Sequence, residues 1–376
     1  MPSSIVIGGG VIGAAIAYEL SKAGVYVTLI EQTGIASGAS GMSAAMLEAQ
    51  LDMPEQGPFK ELALASRSLF SLLSEDLLLE TKIDIGYEPC GILRLALTLE
   101  DRKALVDRYL WQKNEGFAVE WINSEDFQKR FPQVRSTPHG AILYVGDGQV
   151  LPARLTSALL QSAEISGAIV RVPAKMLDFD VENGNVQGVW TTQGRMKADH
   201  VIVAAGPWTG LLVKKLGFDV PIEPVRGQLL LFKTEKPLLA HALYTSEGYI
   251  TPKPDGVTVV GSTLEYTGFD VSTTAMAEDQ LMQFALRRLP TLVEMPYLGI
   301  VAGLRPGSVP DRLPVIGRLP GYANVWMASG HFRNGILLAP ITARLLRQEL
   351  LGQPTDLSLK PFLPTRLHHS TQTASY

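Results

Sequence analysis

The chain has 376 residues, of which 46% are hydrophobic and 19% are charged, and its formal net charge is −4 at pH 7. This length allows two or three domains, and the small negative charge gives no general attraction to nucleic acid or to an anionic membrane. The single cysteine, Cys90, excludes an internal disulfide and a thiolate metal cluster, so we expect no metal site and a reducing, cytoplasmic setting.

The first predicted element is a strand, a glycine-rich turn, a helix and a second strand. An apolar run at 5–7 leads into Gly8, Gly10 and Gly13, and the second apolar run ends at Glu31. In a dinucleotide site these glycines allow a tight turn, close approach of the backbone to a pyrophosphate, and close packing of helix on strand. The helix N-terminus attracts phosphates, and Glu31 can accept hydrogen bonds from both ribose hydroxyls. The sequence therefore predicts a dinucleotide site, without a ribose 2′-phosphate.

Helical and strand patterns alternate along the rest of the chain. After a loop of small residues at 34–46, apolar spacing predicts helices at 59–79, 101–116, 124–131, 152–167 and 276–289. Short apolar runs predict strands at 169–172, 176–181, 186–191 and 198–205, and several more within 227–261. A strand at 325–328, a turn and a helix at 335–351 complete the pattern.

Nucleotide-domain patterns thus recur at the start, middle and end of the chain, with sheet-rich segments between them. We expect two interleaved, discontinuous domains, one of α/β class and one of α+β class. The expected nucleotide domain takes residues 1–84, 148–215 and 300–364, the second domain takes 85–147 and 216–299, and a flexible tail takes 365–376.

Two C-terminal stretches add a more specific signal. One reads Ala302-Gly-Leu-Arg305-Pro-Gly, and the other reads Gly330-His-Phe-Arg-Asn-Gly-Ile-Leu-Leu-Ala-Pro340. With the N-terminal unit, they resemble the D-amino-acid oxidase family of FAD flavoproteins along nearly the whole chain, and the second stretch is typical of its glycine-oxidising branch. The resemblance implies a Rossmann-like FAD-binding domain of the glutathione-reductase type, joined to a substrate domain with a large, mainly antiparallel sheet.

The resemblance also implies an activity. Members of this branch oxidise glycine and small amines such as sarcosine and D-alanine to the oxo acid, ammonia or amine, and hydrogen peroxide, and they serve thiazole synthesis for thiamine. We therefore expect non-covalent FAD, a small amine and oxygen as reactants, and a homotetramer, with no nucleic acid or membrane partner. No apolar run reaches the roughly 18 residues of a membrane span, and the N-terminus lacks the features of a signal peptide.

The cofactor contacts expected from the fingerprint and the resemblance come from the N-terminal unit, the small-residue loop, the middle of the chain and the C-terminal turn. They are Gly8, Gly10, Val11, Ile12, Gly13, Glu31, Gln32, Ala39, Ser40, Ala44, Ala45, Met46, Met176, Gly206, Trp208, His331, Phe332, Arg333, Asn334, Gly335, Ile336 and Leu337. The N-terminus of the last helix, aimed at the flavin, would favour the negative charge of the reduced ring.

The expected substrate contacts are Arg305, Tyr249, Arg333 and Met46. A guanidinium grips a carboxylate through two parallel hydrogen bonds, but from position alone Arg305 could equally join two loops through a buried acid. Tyr249 could donate to the carboxylate or be a core tyrosine, and Arg333 could touch the substrate or hold its loop. No acid–base residue is required, because the lone pair of a neutral amine can drive hydride loss from Cα.

Two departures from the family pattern concern the substrate entrance. Ala45 stands where the family often has glycine, and Glu247 stands where some members have histidine. Both put the substrate preference in question rather than the reaction class. Cys90 does not match the cysteine through which some relatives bind flavin covalently, so we expect it to be an ordinary buried thiol.

Three other functions remain open at this point. A D-amino-acid dehydrogenase that passes electrons to a quinone would share the fingerprint and the arginine. A flavin- or nucleotide-binding protein without catalysis would leave Arg305 and Tyr249 without a purpose. An NAD-dependent dehydrogenase would leave the C-terminal stretches unexplained.

Overall fold

The computed structural model describes residues 1–309 and 311–367. Its strands are β1 Ser3–Ile7, β2 Tyr26–Ile30, β3 Met46–Leu47, β4 Ile92–Leu95, β5 Val119–Ile122, β6 Ala141–Tyr144, β7 Gly148–Gln149, β8 Ile169–Arg171, β9 Met176–Glu182, β10 Asn185–Thr191, β11 Gly194–Lys197, β12 His200–Val203, β13 Ile222–Lys233, β14 Ala242–Tyr244, β15 Tyr249–Pro252, β16 Val257–Gly261, β17 Tyr297–Ser308, β18 Val315–Arg318 and β19 Val325–Ser329. Its α-helices are α1 Val11–Lys22, α2 Ala49–Asp52, α3 Pro58–Thr81, α4 Leu99–Asn114, α5 Ser124–Arg130, α6 Pro152–Ile165, α7 Thr209–Val213, α8 Ala275–Arg288 and α9 Gly335–Leu350.

The helices that the sequence predicts are confirmed, with ends that differ by one or two residues. Five of the described α-helices have a proline at the start or a side-chain cap. Pro58 and Pro152 begin α3 and α6, where the missing N–H costs nothing. The side chains of Thr98, Asn123 and Thr274 accept a backbone N–H at the start of α4, α5 and α8.

The nucleotide-type sheet has the order β18-β19-β12-β1-β2-β8 within the described residues. The strands from β19 to β8 are parallel, and β18 is antiparallel to its neighbour. Strands β1 and β2 read as nearly continuous apolar runs because helices and a small three-stranded sheet cover both faces. Parallel strands end at the same edge of a sheet, so the turn after β1 lies beside the ends of β12 and β19.

The second large sheet has the order β17-β13-β16-β15-β14-β4-β6-β5 in the part of the chain that the structure describes. All of its pairs are antiparallel except β14 with β4. Strands β13 and β17 pair from Ile222 opposite Ser308 to Phe232 opposite Tyr297. Such long pairing places residues near 226 and 305 side by side, although they are far apart in sequence.

Two of the expected segment limits fall inside elements of the structure. The limit expected between 299 and 300 falls inside β17, which stays hydrogen-bonded to β13 as far as Ser308. We propose that the substrate domain extends to Ser308. The expected flexible tail began at 365, but 365–367 belong to a 3-10 turn, Pro364–Leu367, in which Leu367 is buried and Arg366 pairs with Asp311; the rest of that tail lies outside the described residues.

No helix in the described ranges combines the length and the apolar character that crossing a membrane requires.

Candidate active site

A cavity of about 710 Å³ lies between the two large sheets. Its walls come from the ends of β1, β2, β12 and β19 on one side, and from β13, β15 and β17 on the other. The location is typical of ligand sites in open α/β sheets, which form beyond the carboxyl ends of the strands.

The turn after β1 forms the nucleotide end of the cavity. Gly8 has φ +118°, and a Cβ there would lie 2.4 Å from the carbonyl oxygen of Ala204. A Cβ on Gly13 would lie 2.0 Å from the carbonyl oxygen of Gly8. A Cβ on Gly10 would meet only Ser40, with its Oγ at 3.1 Å, and would otherwise point into free space. Gly8 and Gly13 therefore serve backbone packing, whereas Gly10 leaves room for a ligand.

Glu31 shapes the same end of the cavity. One carboxylate oxygen accepts the backbone N–H of Gly9 at 2.8 Å, and the other accepts the backbone N–H and the hydroxyl of Thr33 at 2.8 and 3.0 Å. The Ser40 hydroxyl accepts the N–H of Val11 at 2.9 Å. The acid thus fixes the first turn and the loop that follows β2, where a ribose would lie.

The C-terminal turn forms the flavin end. His331 is buried and its Nε2 lies 3.0 Å from the hydroxyl of Thr342, whereas its Nδ1 has no partner among the described residues. Burial lowers the pKa of His331 to about 3, so the ring is neutral. Helix α9 begins next to it at Gly335 without a side-chain cap. An uncapped helix end and an unpaired buried nitrogen, both beside the cavity, suit the polar edge of a flavin ring.

Arg305, on β17, forms the substrate end. Its guanidinium is partly buried and donates to three neutral oxygens: Ser262 Oγ at 2.8 Å, the Thr263 carbonyl at 3.1 Å and the Arg226 carbonyl at 3.4 Å. Within residues 1–309 and 311–367, no carboxylate forms an ion pair with it, which removes the alternative of a loop–acid–loop link. Burial lowers the pKa of this guanidinium, yet arginine remains charged in proteins, so the cavity holds an uncompensated cation.

A glycine on the neighbouring strand makes room for this guanidinium. A Cβ on Gly227 of β13 would lie 2.2 Å from Nη1 and from Nη2 of Arg305. The side chain of Arg305 therefore runs across the sheet in direct contact with the backbone of β13.

Tyr249 is buried beside Arg305 and lines the cavity. Its ring stacks on that of Tyr244, with centroids 6.1 Å apart and planes at 22°. The hydroxyl of Tyr249 accepts a hydrogen bond from Ser262, and the oxygen of Ser262 in turn accepts one from Arg305. Burial raises the pKa of Tyr249, so its hydroxyl keeps its proton and can donate to an anion.

Arg333 differs from Arg305 because its guanidinium is already bonded to an acid of the protein. Its Nη2 lies 2.9 Å from Glu48 Oε2, 2.8 Å from the hydroxyl of Tyr244 and 3.7 Å from Asp52 Oδ1. These contacts favour the loop-holding role for Arg333 over direct substrate contact. Burial and the charge of Asp52 raise the pKa of Glu48 to about 8, against the lowering effect of Arg333.

Most residues expected from the sequence come together around the cavity. Those that line it are Gly8, Gly10, Val11, Ile12, Glu31, Gln32, Ala39, Ser40, Ala44, Ala45, Met46, Met176, Gly206, Trp208, Tyr249, Arg305, His331, Phe332, Arg333, Gly335 and Ile336. Three expected cofactor contacts lie behind this lining. Gly13 packs against Gly8, Asn334 bonds to Asp52 at 3.4 Å, and Leu337 is fully buried with its carbonyl bonded to Ser66.

Sequence reasoning missed Glu48, Ser262 and Gly227, which also line the cavity. Glu48 had a signal, because it is an acid just after the apolar pair of β3, two residues beyond Met46. Gly227 and Ser262 had none, because their roles depend on where the Arg305 side chain lies.

The two departures from the family pattern have different consequences. Ala45 has φ +50°, in the left-handed region that glycine adopts at least cost, so its methyl group places strain beside the cavity. Glu247 does not line the cavity and instead pairs with Arg287 and Arg288 of α8 at 3.3 and 3.0 Å. Cys90 lies outside the cavity lining, and burial raises the pKa of its thiol.

A dinucleotide end, a flavin end and a free guanidinium in one cavity between two sheets define the class of two-domain flavoprotein oxidoreductases. The sequence pattern of the DAO family, described as FAD dependent oxidoreductase, matches residues 4–349, and the chain belongs to this family. FAD is therefore the cofactor and the chain is an FAD-dependent oxidoreductase, as the sequence predicts. The alternatives of an NAD-dependent enzyme and of a binding protein without catalysis are set aside.

Several known proteins are similar along the full chain. Glycine oxidase of Geobacillus kaustophilus (strain HTA426) is 33% identical over 364 residues, which are 96% of each chain. The crystal structure of glycine oxidase from Geobacillus kaustophilus matches with a TM-score of 0.93 at 32% identity, over 97% of this chain and 99% of that chain. The bifunctional protein ThiO/ThiG of Nostoc sp. (strain PCC 7120) is 32% identical over 374 residues, which are 98% of this chain and 56% of that protein.

The glycine turn gives a first prediction. Gly10→Val should yield a folded protein without FAD, because the new side chain enters ligand space and meets little protein. Gly13→Val is the matched comparison, and it should lower the yield of folded protein because its Cβ strikes the backbone of Gly8. Flavin absorbance and circular dichroism of the two variants separate these effects, and normal FAD uptake by Gly10→Val would contradict the assignment.

The contact between β13 and Arg305 gives a second prediction. Gly227→Ala should displace the guanidinium and raise the KM for the amine substrate by about tenfold or more, with little change in FAD content. Gly307→Ala on β17 is the control, since a Cβ there would make ordinary contacts at 3.5 Å. Equal KM values for the two variants would show that the position of Arg305 does not depend on Gly227.

Proposed function

We propose that this chain oxidises glycine, and also sarcosine and D-alanine, to the oxo acid with release of ammonia or amine. The observation that carries the proposal is the partly buried guanidinium of Arg305, which lines the cavity without a carboxylate partner in the described part of the chain. An amino acid supplies the missing anion. The names of the relatives, glycine oxidase among them, support the choice of glycine.

The residues of the chain position the substrate. Arg305 donates two parallel hydrogen bonds to the substrate carboxylate, and the hydroxyl of Tyr249 donates a third. Bound FAD supplies the acceptor for a hydride from Cα. Because no titrating side chain is needed at Cα, the contribution of the protein is orientation and electric field.

We further propose that oxygen takes the electrons, so that hydrogen peroxide is released, and that the enzyme works in the cytoplasm as a homotetramer. The similarity to ThiO/ThiG supports a role in supplying thiazole synthesis for thiamine. Oxygen uptake with peroxide release should exceed the reduction of a soluble quinone when glycine is the donor. Faster turnover with the quinone would favour the dehydrogenase alternative instead.

The carboxylate contact gives a third prediction. Arg305→Ala should lower kcat/KM for glycine by about 100-fold, because hydrogen bonds to a charged partner contribute about 1.5–3 kcal/mol. FAD content should stay the same. Arg305→Lys keeps the charge but loses the paired geometry, so it should lie between the wild type and Arg305→Ala. Unchanged glycine kinetics in Arg305→Ala would refute the carboxylate contact.

The substrate ammonium gives a fourth prediction, on pH. Hydride loss requires a neutral amine, so kcat/KM should rise with pH by up to about tenfold per unit below the pKa of the free substrate ammonium. His331 adds no ionisation in this range, because burial lowers its pKa to about 3. The rise should move to lower pH with an amine substrate whose ammonium is more acidic. A flat profile from neutral to alkaline pH would contradict the mechanism.

A further inference from the structure

Two guanidiniums line the cavity, and only one of them contacts a carboxylate of the protein. Arg305 donates only to neutral oxygens, whereas Arg333 is paired with Glu48 and lies near Asp52. Among the residues described, the cavity therefore offers a substrate one open cation and one cation that the protein has already occupied.

Glu48 is held firmly in its position against Arg333. It follows β3 directly, and only 6% of its surface is exposed. Helix α2 begins at the next residue, and its first turn is fixed by Asp147, whose carboxylate accepts the N–H groups of Gln50 and Leu51 at 2.8 and 2.9 Å. Since Glu48 cannot turn away into water, its charge state decides whether Arg333 is available.

A pair of tyrosines connects the two arginines. Tyr244 accepts a hydrogen bond from Arg333 at 2.8 Å, and Tyr249 lies beside Arg305, with the rings stacked 6.1 Å apart. Both guanidiniums line the same cavity. A small molecule with two acid groups would therefore find a second cation close to the first if Glu48 were neutral.

We propose that Glu48 sets the number of acid groups that the site accepts: its carboxylate occupies Arg333, so a second substrate carboxylate can bind only when Glu48 is protonated or replaced. The site selects monocarboxylate amines, such as glycine, over amino dicarboxylates only while Glu48 is ionised, and it admits both when Glu48 is protonated. This inference rests on the proposed function, because it assumes that the substrate carboxylate binds Arg305.

The physical basis is competition between like charges. A second substrate carboxylate at Arg333 would lie next to Glu48 and Asp52, and anions in such close contact repel one another. Protonation of Glu48 removes one of these charges. The raised pKa of Glu48, about 8, brings this exchange into an accessible pH range. Glu48 interacts electrostatically with seven charged or titratable groups: Asp52, Asp147, Arg333, Arg305, Tyr244, Tyr249 and Lys253.

The test compares anions with one and two carboxylates on the FAD-loaded enzyme, using acetate against malonate and the longer succinate. Binding is followed by the change in flavin absorbance, which needs no turnover. At about pH 9, Glu48→Gln should bind a dicarboxylate at least about tenfold more tightly than the wild type does, with acetate affinity nearly unchanged. Equal effects on acetate and the dicarboxylates, or no gain for either dicarboxylate, would overturn the inference.

A pH series separates specificity from a purely structural role. Dicarboxylate affinity of the wild type should fall as pH rises through about 8, because Glu48 then ionises, and Glu48→Gln should show no such fall. Burial lowers the pKa of Lys253 to about 7, so Lys253→Met is the control, and it should retain the fall. A wild-type affinity that does not change with pH would overturn the inference even if Glu48→Gln failed to fold.

The double variant Glu48→Gln/Arg333→Gln removes both members of the pair, so the gain in dicarboxylate affinity should disappear. Retention of the gain would show that the second acid group binds elsewhere. A gain in Glu48→Gln that is lost in the double variant, together with a wild-type enzyme that is inert toward glycine, would refute the proposed function alone. Normal glycine oxidation with unchanged dicarboxylate binding in Glu48→Gln would refute only the role of Glu48.

Discussion

The uncompensated charge of Arg305 is the constraint on which the rest of the site depends. Withdrawing a charged group from water without an opposite charge is unfavourable, and the protein offsets part of this cost for the partly buried Arg305 with three neutral oxygens. The remaining attraction is available to a substrate carboxylate. In the proposed function, the Cα of that substrate would lie between β17 and the C-terminal turn at His331, both of which line the cavity.

The two arginines make the cavity asymmetric, because one guanidinium is paired with an acid of the protein and the other is not. Arg333 is matched within the protein and holds its turn against Glu48, so the start of α9 stays fixed beside the cavity. Arg305 is left open. A site with two open guanidiniums would attract dianions, whereas a site with one open guanidinium suits a single carboxylate and leaves the amine end of the substrate free to meet the flavin.

How far the sequence predicts this site depends on the separation of the interacting residues. The roles of Gly8, Gly10 and Glu31 follow from local spacing, because turn, helix and acid lie within one βαβ unit. Arg305 is indicated by its resemblance to a family pattern, but its freedom from an acid partner emerges only from the pairing of β13 with β17. Glu48 and Arg333 are 285 residues apart in sequence, so no local pattern predicts that they form a pair. Asn334 and Leu337 do not line the cavity although their neighbours do, since successive residues of a helical turn point to different sides.

The most direct measurement is a crystal structure of the FAD-loaded enzyme with acetate bound. We expect both acetate oxygens at about 2.7–2.9 Å from guanidinium nitrogens of Arg305, with Arg333 still paired to Glu48. An acetate bound at Arg333, or an Arg305 neutralised by a carboxylate of the protein, would show that Arg305 is not the carboxylate site.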